Sequence, residues 1–273
     1  MTESSHSSSI SALPEGCISE ILSLTSPRDA CRAATISKTF NSAADSDAVW
    51  ERFLPPDYRD VIATAVPPVI FESKKQLYHR LSDSYILLDR GNLGFKLDKE
   101  SGRKCYLVGA RDLSIIWSND TRYWVWGNVP ESRFEEVATL REVWWLDIYG
   151  KLSSVMLSPN TTYATHLVFR IDRDSSELSV PAKTILDFGG IRTETINVFL
   201  QQPGILTGRG APVRAPAPAP APAARNDGWM DIKLGEFYYN DGDEGEVGMG
   251  FQEHDNYARK QGLIVEGIEI RPK

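Results

Sequence analysis

The spacing of apolar residues changes once along this chain, and that change constrains the fold more than any other feature. Residues 12–54 place their apolar side chains at the three- and four-residue intervals typical of short helices. From Tyr85 onward the interval becomes two, as where Leu167, Phe169 and Ile171 alternate with other side chains. The sequence therefore predicts a small all-α module followed by a larger all-β domain.

The predicted strands are short and are separated by turn residues such as Asn240-Asp241-Gly242, with almost no helical pattern between them. This arrangement is typical of an antiparallel sandwich, or jelly roll, rather than of a parallel sheet. In the segment GLIVEGIEI the apolar positions change register across Gly267, which predicts a β-bulge there.

Composition divides the chain further. Residues 1–11 are predicted to be a disordered polar tail, 12–57 the helical module, 58–84 a helical connector, and 85–273 the β domain. Residues 203–226 are rich in alternating Pro and Ala, which favours polyproline II and cannot support a strand ladder. We therefore predict a disordered Pro/Ala-rich insertion between two strands.

Charge and cysteine usage limit the function. The formal net charge of −7 argues against a nucleic-acid backbone or an anionic membrane as the main partner. No apolar run approaches the roughly 18 residues of a membrane span, and the N-terminal residues lack the pattern of a secretory signal. Cys17, Cys31 and Cys105 form no CxxC motif, which favours reduced thiols in the cytoplasm or nucleus.

Catalysis is not indicated by any motif. His6, His79, His166 and His254 fall in no metalloprotease or nucleophile-base pattern, and His166 is expected on a strand surface. The segment DGDEGE lacks the ligand order of a calcium loop and is better explained as an acidic hairpin turn. We therefore predict no enzyme activity, no cofactor and no metal site.

The N-terminal segment ALPEGCISEILSLTSPRDACRAATISKTFNSAADSDAVWERFLP resembles an F-box. The resemblance implies docking on the Skp adaptor, and through it on the cullin, of an SCF ubiquitin ligase. A module this small has too little core to bury its apolar faces and should cover them with a partner; the alternative is an ordinary helical subdomain packed on the sandwich. The residues expected at the Skp contact are Leu13, Pro14, Ile18, Ile21, Leu22, Leu24 and Pro27.

The rest of the chain resembles the phloem protein 2-like, or Nictaba-like, lectin domain of plants. The resemblance is carried by CYLVGARDLSIIWSNDTRYWVW, EVATLREVWWLDIYGKL, TTYATHLVFRID, RNDGWMDIKLGEFYYNDGDEGEVGM and GLIVEGIEIRPK. An F-box followed by this domain is a plant architecture, so the two resemblances support each other.

The lectin resemblance implies a sugar site on two tryptophans, Trp117 and Trp124. An indole can stack on the apolar face of a pyranose while carboxylates and amides bind its hydroxyls. Both rings are therefore expected at the surface. The polar partners implied by the resemblance, or expected beside the rings, are Glu246, Glu253, Asn119, Asp120 and Tyr123.

The remaining tryptophans of the β domain lie in strand-like patterns. Trp144, Trp145 and Trp229 are expected in the core, and Trp126 is left open between core and surface. Gly248 and Gly250 interrupt the acidic strand, so the polar half of the sugar site is expected to be altered or lost.

These observations lead to one main hypothesis and two alternatives. The main hypothesis is a non-catalytic receptor, in which the F-box binds the ligase and the sandwich selects target proteins, with N-acetylglucosamine-containing glycans as the expected ligand. In the first alternative the sandwich binds target proteins directly, without sugar affinity. In the second the chain is a free cytoplasmic or nuclear lectin.

Overall fold

The computed structural model describes residues 13–201 and 221–273, which form two compact units. The helical unit comprises the described residues up to Ile86 together with Lys96–Arg103. The sandwich unit comprises Leu87–Phe95 and the described residues from Lys104 onward. The predicted tail 1–11 and most of the predicted insertion lie outside the described residues.

Short α-helices build the helical unit, and most begin at a serine. The side chains of Ser26, Ser37, Ser46 and Ser73 each accept a hydrogen bond from a backbone N–H of the helix that follows. Within the described residues the helices are α1 Glu15–Ser23, α2 Pro27–Ala33, α3 Lys38–Asp45, α4 Asp47–Phe53, α5 Tyr58–Ala63 and α6 Lys74–Asp83. None of these helices is long and apolar enough to cross a membrane.

The core of the helical unit is centred on Trp50, which is fully buried. Its indole Nε1 donates a hydrogen bond to the carbonyl oxygen of Ala44 at 2.6 Å, and its ring centroid lies 5.3 Å from that of Tyr78. Leu77 and Leu81 of α6 are also buried. The predicted connector helix therefore contributes its apolar stripe to the same core as the F-box-like helices.

The sandwich unit consists of antiparallel strands in two sheets. The strands in the described part of the chain are β1 Ile86–Leu88, β2 Leu93–Leu97, β3 Lys104–Gly109, β4 Ser114–Ile115, β5 Trp124–Gly127, β6 Val137–Leu140, β7 Leu146–Ser153, β8 Thr161–Ser176, β9 Ala182–Phe188, β10 Ile191–Val198, β11 Ala223–Ala224, β12 Met230–Tyr239, β13 Glu246–Glu253 and β14 Gln261–Pro272. The predicted fold class, a helical module followed by an antiparallel sandwich, is confirmed.

One sheet has the order β1-β2-β3-β14-β8-β12-β11, with β6 pairing β14 and β5 pairing β6. The other has the order β10-β9-β13-β7-β4. In β8, Leu167 and Phe169 are buried, opposite Ile232 and Met230 of β12. Residues 163–169 of this strand are all buried, so burial does not alternate along this stretch as the period-two pattern predicts. Because successive side chains point to opposite faces of a strand, both faces of this stretch are covered.

The predicted bulge in β14 is confirmed, because the pairing with β8 shifts register between Val265 and Gly267. At Gly267 a Cβ atom would lie 2.2 Å from the carbonyl oxygen of Val108. Only glycine allows the neighbouring backbone to approach so closely.

The predicted C-terminal boundary of the insertion, at residue 226, is wrong. Ala223–Ala224 form the short strand β11, which pairs with Met230 and Asp231 of β12, so the strand ladder resumes before residue 226. Arg225, the next residue, is largely buried and forms an ion pair with Glu269 at 2.7 Å. Pairing to the sheet and this ion pair hold residues that composition alone assigned to the insertion.

His166 is also not a surface residue, contrary to the prediction. It is 8% exposed and lies in β8 between Lys233 of β12 and Glu269 of β14. Burial, together with the positive charge of Arg271, lowers the pKa of His166 to about 4. The imidazole is therefore neutral in the fold at neutral pH.

Candidate functional site

Two surfaces in the described parts of the chain combine exposed apolar or aromatic side chains with defined geometry. The first, the α1 stripe, consists of Leu13, Cys17, Ile21 and Leu24 on and beside α1. Leu13, Ile21 and Leu24 are 36%, 44% and 69% exposed, and Cys17 is exposed as well. Because they are three or four residues apart, these side chains lie along one face of the helix.

The structure corrects part of the predicted Skp contact. Ile18, Leu22 and Pro27 are buried in the core of the helical unit, so they do not face a partner. Ile18 and Leu22 lie on the face of α1 that packs against other helices of the unit. Pro14 remains exposed together with the α1 stripe. Helical spacing alone did not separate the two apolar faces of α1.

The second surface is the ring cluster, formed by Trp117, Tyr123, Trp145 and Tyr257. The centroid of Trp117 lies 5.1 Å from that of Tyr123 and 4.4 Å from that of Trp145. Tyr257 extends the row, 6.5 Å from Trp145, and is 72% exposed. The four rings come from the loops before β5, before β7 and before β14, which meet at one end of the sandwich.

The backbone of Trp117 is held by indole donors on both sides. Its φ of +56° is in the left-handed region, which is uncommon for a bulky residue. The indole Nε1 of Trp124 donates to the carbonyl oxygen of Ile116 at 3.0 Å, and that of Trp126 donates to Ser118 at 2.9 Å. The backbone on each side of Trp117 is therefore fixed, and its half-buried ring is preorganised.

The predicted exposure of Trp124 is wrong, since its side chain is fully buried. Trp124 begins β5 and points into the unit, where its indole orients the loop that bears Trp117. Trp126, left open between core and surface, is half-buried and lies under the guanidinium of Arg111, 3.9 Å from the ring centroid. A sugar contact by Trp117 stays a prediction.

The three tryptophans expected in the core differ. Trp229 is buried as predicted, with its Nε1 donating to the carbonyl oxygen of Glu131. The prediction is wrong for Trp144, which is 40% exposed, and for Trp145, which is half-buried. Both precede the first residue of β7, so the alternation of that strand does not govern them.

The polar residues beside Trp117 are partly engaged. The carboxylate of Asp120 accepts hydrogen bonds from the Arg122 side chain at 2.6–3.0 Å, and these bonds lower the pKa of Asp120. Asn119 is exposed. Asn119 and Tyr123 therefore remain the nearest predicted polar groups with a solvent-facing position beside the ring of Trp117.

The two predicted glutamates lie at opposite ends of β13. Glu246 is exposed and pairs with Lys151 at 2.7 Å, whereas Glu253 is buried and pairs with Lys260 at 2.5 Å. The two glutamates are seven positions apart in the strand, a distance of about 23 Å at 3.3 Å per residue. The structure therefore does not bring both carboxylates to the ring cluster, and the burial of Glu253 contradicts its role as a solvent-facing sugar ligand.

The glycines in β13 have a structural explanation. A Cβ atom at Gly248 would lie 2.0 Å from the hydroxyl oxygen of Tyr149, and one at Gly250 would lie 3.0 Å from its ring. The ring of Tyr149, on the paired strand β7, thus lies over both glycines, with its hydroxyl 3.4 Å from a carboxylate oxygen of Asp187. The two glycines make room for this ring.

Sequence reasoning missed Tyr257 and misassigned Trp145. Tyr257 lies in HDNYARKQ, an aromatic residue among polar ones, which is the signal that identified Trp117. That signal could have found Tyr257. No pattern in the sequence predicts that the loop before β5, which carries Trp117, meets the loop before β14, which carries Tyr257.

Known proteins resemble both units. Residues 10–55 match the F-box-like family and residues 103–272 match Phloem protein 2. The chain is 42% identical to F-box protein PP2-B10 of Arabidopsis thaliana over 98% of its length and 96% of that protein. It is also 40% identical to Putative F-box protein PP2-B12 of the same plant, over 96% of this chain and 97% of that one.

Solved structures give weaker likenesses. The CBM22-1–GH10 modules of Clostridium thermocellum xylanase 10B, complexed with xylohexaose, align at a TM-score of 0.30 and 8% identity, over 60% of this chain and 27% of that one. TmCBM61 in complex with β-1,4-galactotriose aligns at 0.28 and 9% identity, over 62% and 88%.

The helical and sandwich units together define an F-box protein with a lectin-like domain. The chain belongs to the phloem protein 2 family, because the Phloem protein 2 model matches residues 103–272 and the relatives in Arabidopsis thaliana match the chain over nearly its full length. Within that family it is one of the F-box proteins of the PP2-B type.

Proposed function

We propose that this protein is a substrate receptor of an SCF-type ubiquitin ligase. The α1 stripe binds the Skp adaptor, and through it the cullin, while the sandwich unit selects target proteins. The protein itself carries out no catalysis, because ubiquitin transfer belongs to other subunits. The proposal places the protein in the cytoplasm or nucleus.

The α1 stripe supports the adaptor contact. Trp50, Ile18 and Leu22 close the core of the helical unit, yet Ile21 and Leu24 stay exposed beside it. Exposed apolar side chains in a row on one helix favour a protein partner that removes them from water. Co-purification of the full chain with a Skp adaptor tests this contact, and a full chain that fails to bind any Skp adaptor would contradict it.

We infer that target selection uses the sugar of a glycosylated protein, an N-acetylglucosamine-containing glycan. The observation that carries this proposal is the ring cluster, in which Tyr257 is exposed and the half-buried Trp117 is fixed by hydrogen bonds on both sides. Aromatic rings of this kind stack on the apolar face of a pyranose. A glycan array probed with the full chain and with Trp117→Ala tests it, and we expect signal only from the wild type.

A second candidate is direct recognition of a protein target without sugar affinity. Two of the expected carboxylates are unsuited to a sugar, since Glu253 is buried and Glu246 lies at the far end of β13. The rings would then bind apolar side chains of the target. An array with no signal for the folded wild-type chain, combined with binding to a Skp adaptor, would favour this candidate.

A free lectin is the remaining candidate. It predicts glycan binding by the full chain but no association with a Skp adaptor. The same two measurements therefore separate the three functions.

A further inference from the structure

Lys260 occupies an unusual position for a lysine, because its side chain is completely buried at the end of the sandwich that bears the ring cluster. Burying an ammonium group is costly unless it is paired and its donors are all used. Lys260 meets both conditions. It forms an ion pair with the buried carboxylate of Glu253 at 2.5 Å, and its Nζ donates to three backbone carbonyl oxygens.

The three carbonyls are those next to two members of the ring cluster. Lys260 Nζ donates to Asn256 at 2.6 Å and to Ala258 at 3.1 Å, the residues on either side of Tyr257. It also donates to Trp144 at 2.8 Å, the residue before Trp145. A single buried cation therefore fixes the backbone beside both rings.

The loop has further internal support. The side-chain carboxylate of Glu253 accepts a hydrogen bond from the backbone N–H of Asn256 at 2.7 Å. The side-chain oxygen of Asn256 accepts one from the N–H of Ala258 at 2.9 Å. Residues 253–260 thus form a braced loop that carries the ring of Tyr257, which is 72% exposed.

The same arrangement occurs at Trp117, on the other side of the cluster. There the fully buried indole of Trp124 and the half-buried indole of Trp126 donate to the carbonyls of Ile116 and Ser118. Trp117 and Tyr257 are thus each flanked by two backbone carbonyls that other side chains hold in place. Preorganisation of loop residues in this way lowers the entropic cost of binding a ligand.

We propose that Tyr257 is a ligand-contacting ring of the sandwich unit and that Lys260 is its positioning residue. The ligand is the sugar of the proposed function, on which this inference rests. Tyr257 continues the row of rings from Trp117 through Trp145, so one glycan contacts both ends of the row.

The contact is tested by titrating the full chain with N-acetylchitotriose, a soluble trimer of N-acetylglucosamine. Tyr257→Ala should weaken affinity about tenfold without lowering the melting temperature, because a side chain 72% exposed contributes little to the core. Tyr238→Ala is the matched control, since Tyr238 is a 56% exposed tyrosine of β12, outside the ring cluster. We expect wild-type affinity for it.

Failure of this inference and failure of the proposed sugar binding give different results. Wild-type affinity for Tyr257→Ala, together with weakened binding by Trp117→Ala, overturns the role of Tyr257 and leaves the sugar site intact. No binding of the trimer by the wild-type chain overturns both.

The positioning role is tested by a double-mutant cycle on the same affinity. Lys260→Met should lose about as much affinity as Tyr257→Ala, and the double variant should lose little more than either single one. Adding Trp117→Ala should cause a separate loss. Additive losses from Lys260→Met and Tyr257→Ala would overturn the positioning role.

Lys260→Met also leaves the carboxylate of Glu253 buried without its cation, so a milder variant is needed beside it. Asn256→Ala removes only the bond to the N–H of Ala258 and buries no charge. A smaller loss of affinity that is likewise non-additive with Tyr257→Ala supports the braced loop. Wild-type affinity for Asn256→Ala, with Lys260→Met unfolded, overturns it.

Discussion

The α1 stripe and the ring cluster present exposed side chains in opposite ways. A helix satisfies its own backbone hydrogen bonds, so Ile21 and Leu24 are placed by the helical repeat and need no further support. The rings of Trp117 and Tyr257 lie in loops, where a carbonyl removed from water needs a partner that no regular helix or strand supplies. The indoles of Trp124 and Trp126 and the buried Lys260 provide such partners. In this sandwich the binding surface on the loops is thus supported by polar groups beneath it.

The two units also differ in the charged side chains that they bury. Among the described residues, the buried charged side chains all belong to the sandwich unit: Lys104, Asp231, Glu253, Lys260, Glu266 and Glu269. The described part of the helical unit buries aliphatic and aromatic side chains instead. Strand residues and one loop lysine thus bring charged side chains into the sandwich core, whereas the described helices do not.

The largest expected effect comes from removing the buried indole that holds the backbone beside Trp117. Trp124→Ala should lower the free energy of unfolding by about 3–5 kcal/mol, since it removes a fully buried indole. It also leaves the carbonyl of Ile116 without its donor. Denaturant unfolding measures the change, and Trp144→Ala, at a 40% exposed tryptophan, is the control that should change stability little. Equal losses for both variants would show that Trp124 has no special role.

Replacement of Leu13 and Ile21 with Ala should leave the helical unit folded and weaken binding to a Skp adaptor by about 2–4 kcal/mol, if the pair lies at the centre of the interface. The reason is that neither side chain supports the core. Ile70→Ala, at an 89% exposed residue of the same unit, is the control for unspecific effects. Calorimetric titration with the adaptor measures the change. Unchanged affinity for the double variant would remove the α1 stripe from the interface.

The stability of the sandwich unit should fall as the pH falls from about 6.5 to 4. Burial lowers the pKa of His166 to about 4 in the fold, so in this window the unfolded chain binds a proton that the folded chain does not. Each unit of pKa difference between the folded and unfolded states is worth 1.36 kcal/mol, so the free energy of unfolding falls by up to roughly 3 kcal/mol over this window. Urea unfolding at several pH values measures it.

His166→Gln should flatten this pH dependence. The pH-sensitive transition should also be the one that Trp124→Ala lowers, because both residues belong to the sandwich unit. Parallel pH profiles for the wild type and His166→Gln would assign the dependence to other groups.

The smallest effect concerns the ring itself. Trp117→Ala should weaken glycan affinity by about 1–3 kcal/mol and destabilise the fold much less than Trp124→Ala, since Trp117 is only half-buried. Thermal unfolding and N-acetylchitotriose titration on the same preparation separate the two effects. A folded Trp117→Ala with wild-type affinity would show that the hydrogen bonds to the backbone beside Trp117 serve stability rather than binding.

Periodicity predicted most of the fold, because burial between two sheets or within a helical core imposes one repeat on each segment. The bulge at Gly267 and the resumed helix with Leu77 follow from it. The strand at Leu167 was also predicted, but the burial of both of its faces was not. Pairing of β11 could not be predicted, because Ala223 and Ala224 carry no side-chain signal for a strand.

The candidate site was only partly predictable. Trp117 and Trp124 belong to one short aromatic segment, and only the three-dimensional structure shows that the first ring is half-buried while the second is fully buried and holds its backbone in place. The roles of Lys260 and Tyr257 depend on contacts between loops that are far apart in sequence. Residue type and local spacing carry no information about such contacts.

The ring of Tyr149 over Gly248 and Gly250 sets an order in which this surface can change during evolution. Any side chain that enters at position 248 first overlaps the Tyr149 hydroxyl, where a Cβ atom would lie 2.0 Å away, so that step is destabilising. Replacing Tyr149 by a small residue first removes the obstacle and opens the strand to new side chains, acidic ones included. With Tyr149 in its present position, a side chain at position 248 requires the tyrosine ring to move, so the two positions are sterically coupled.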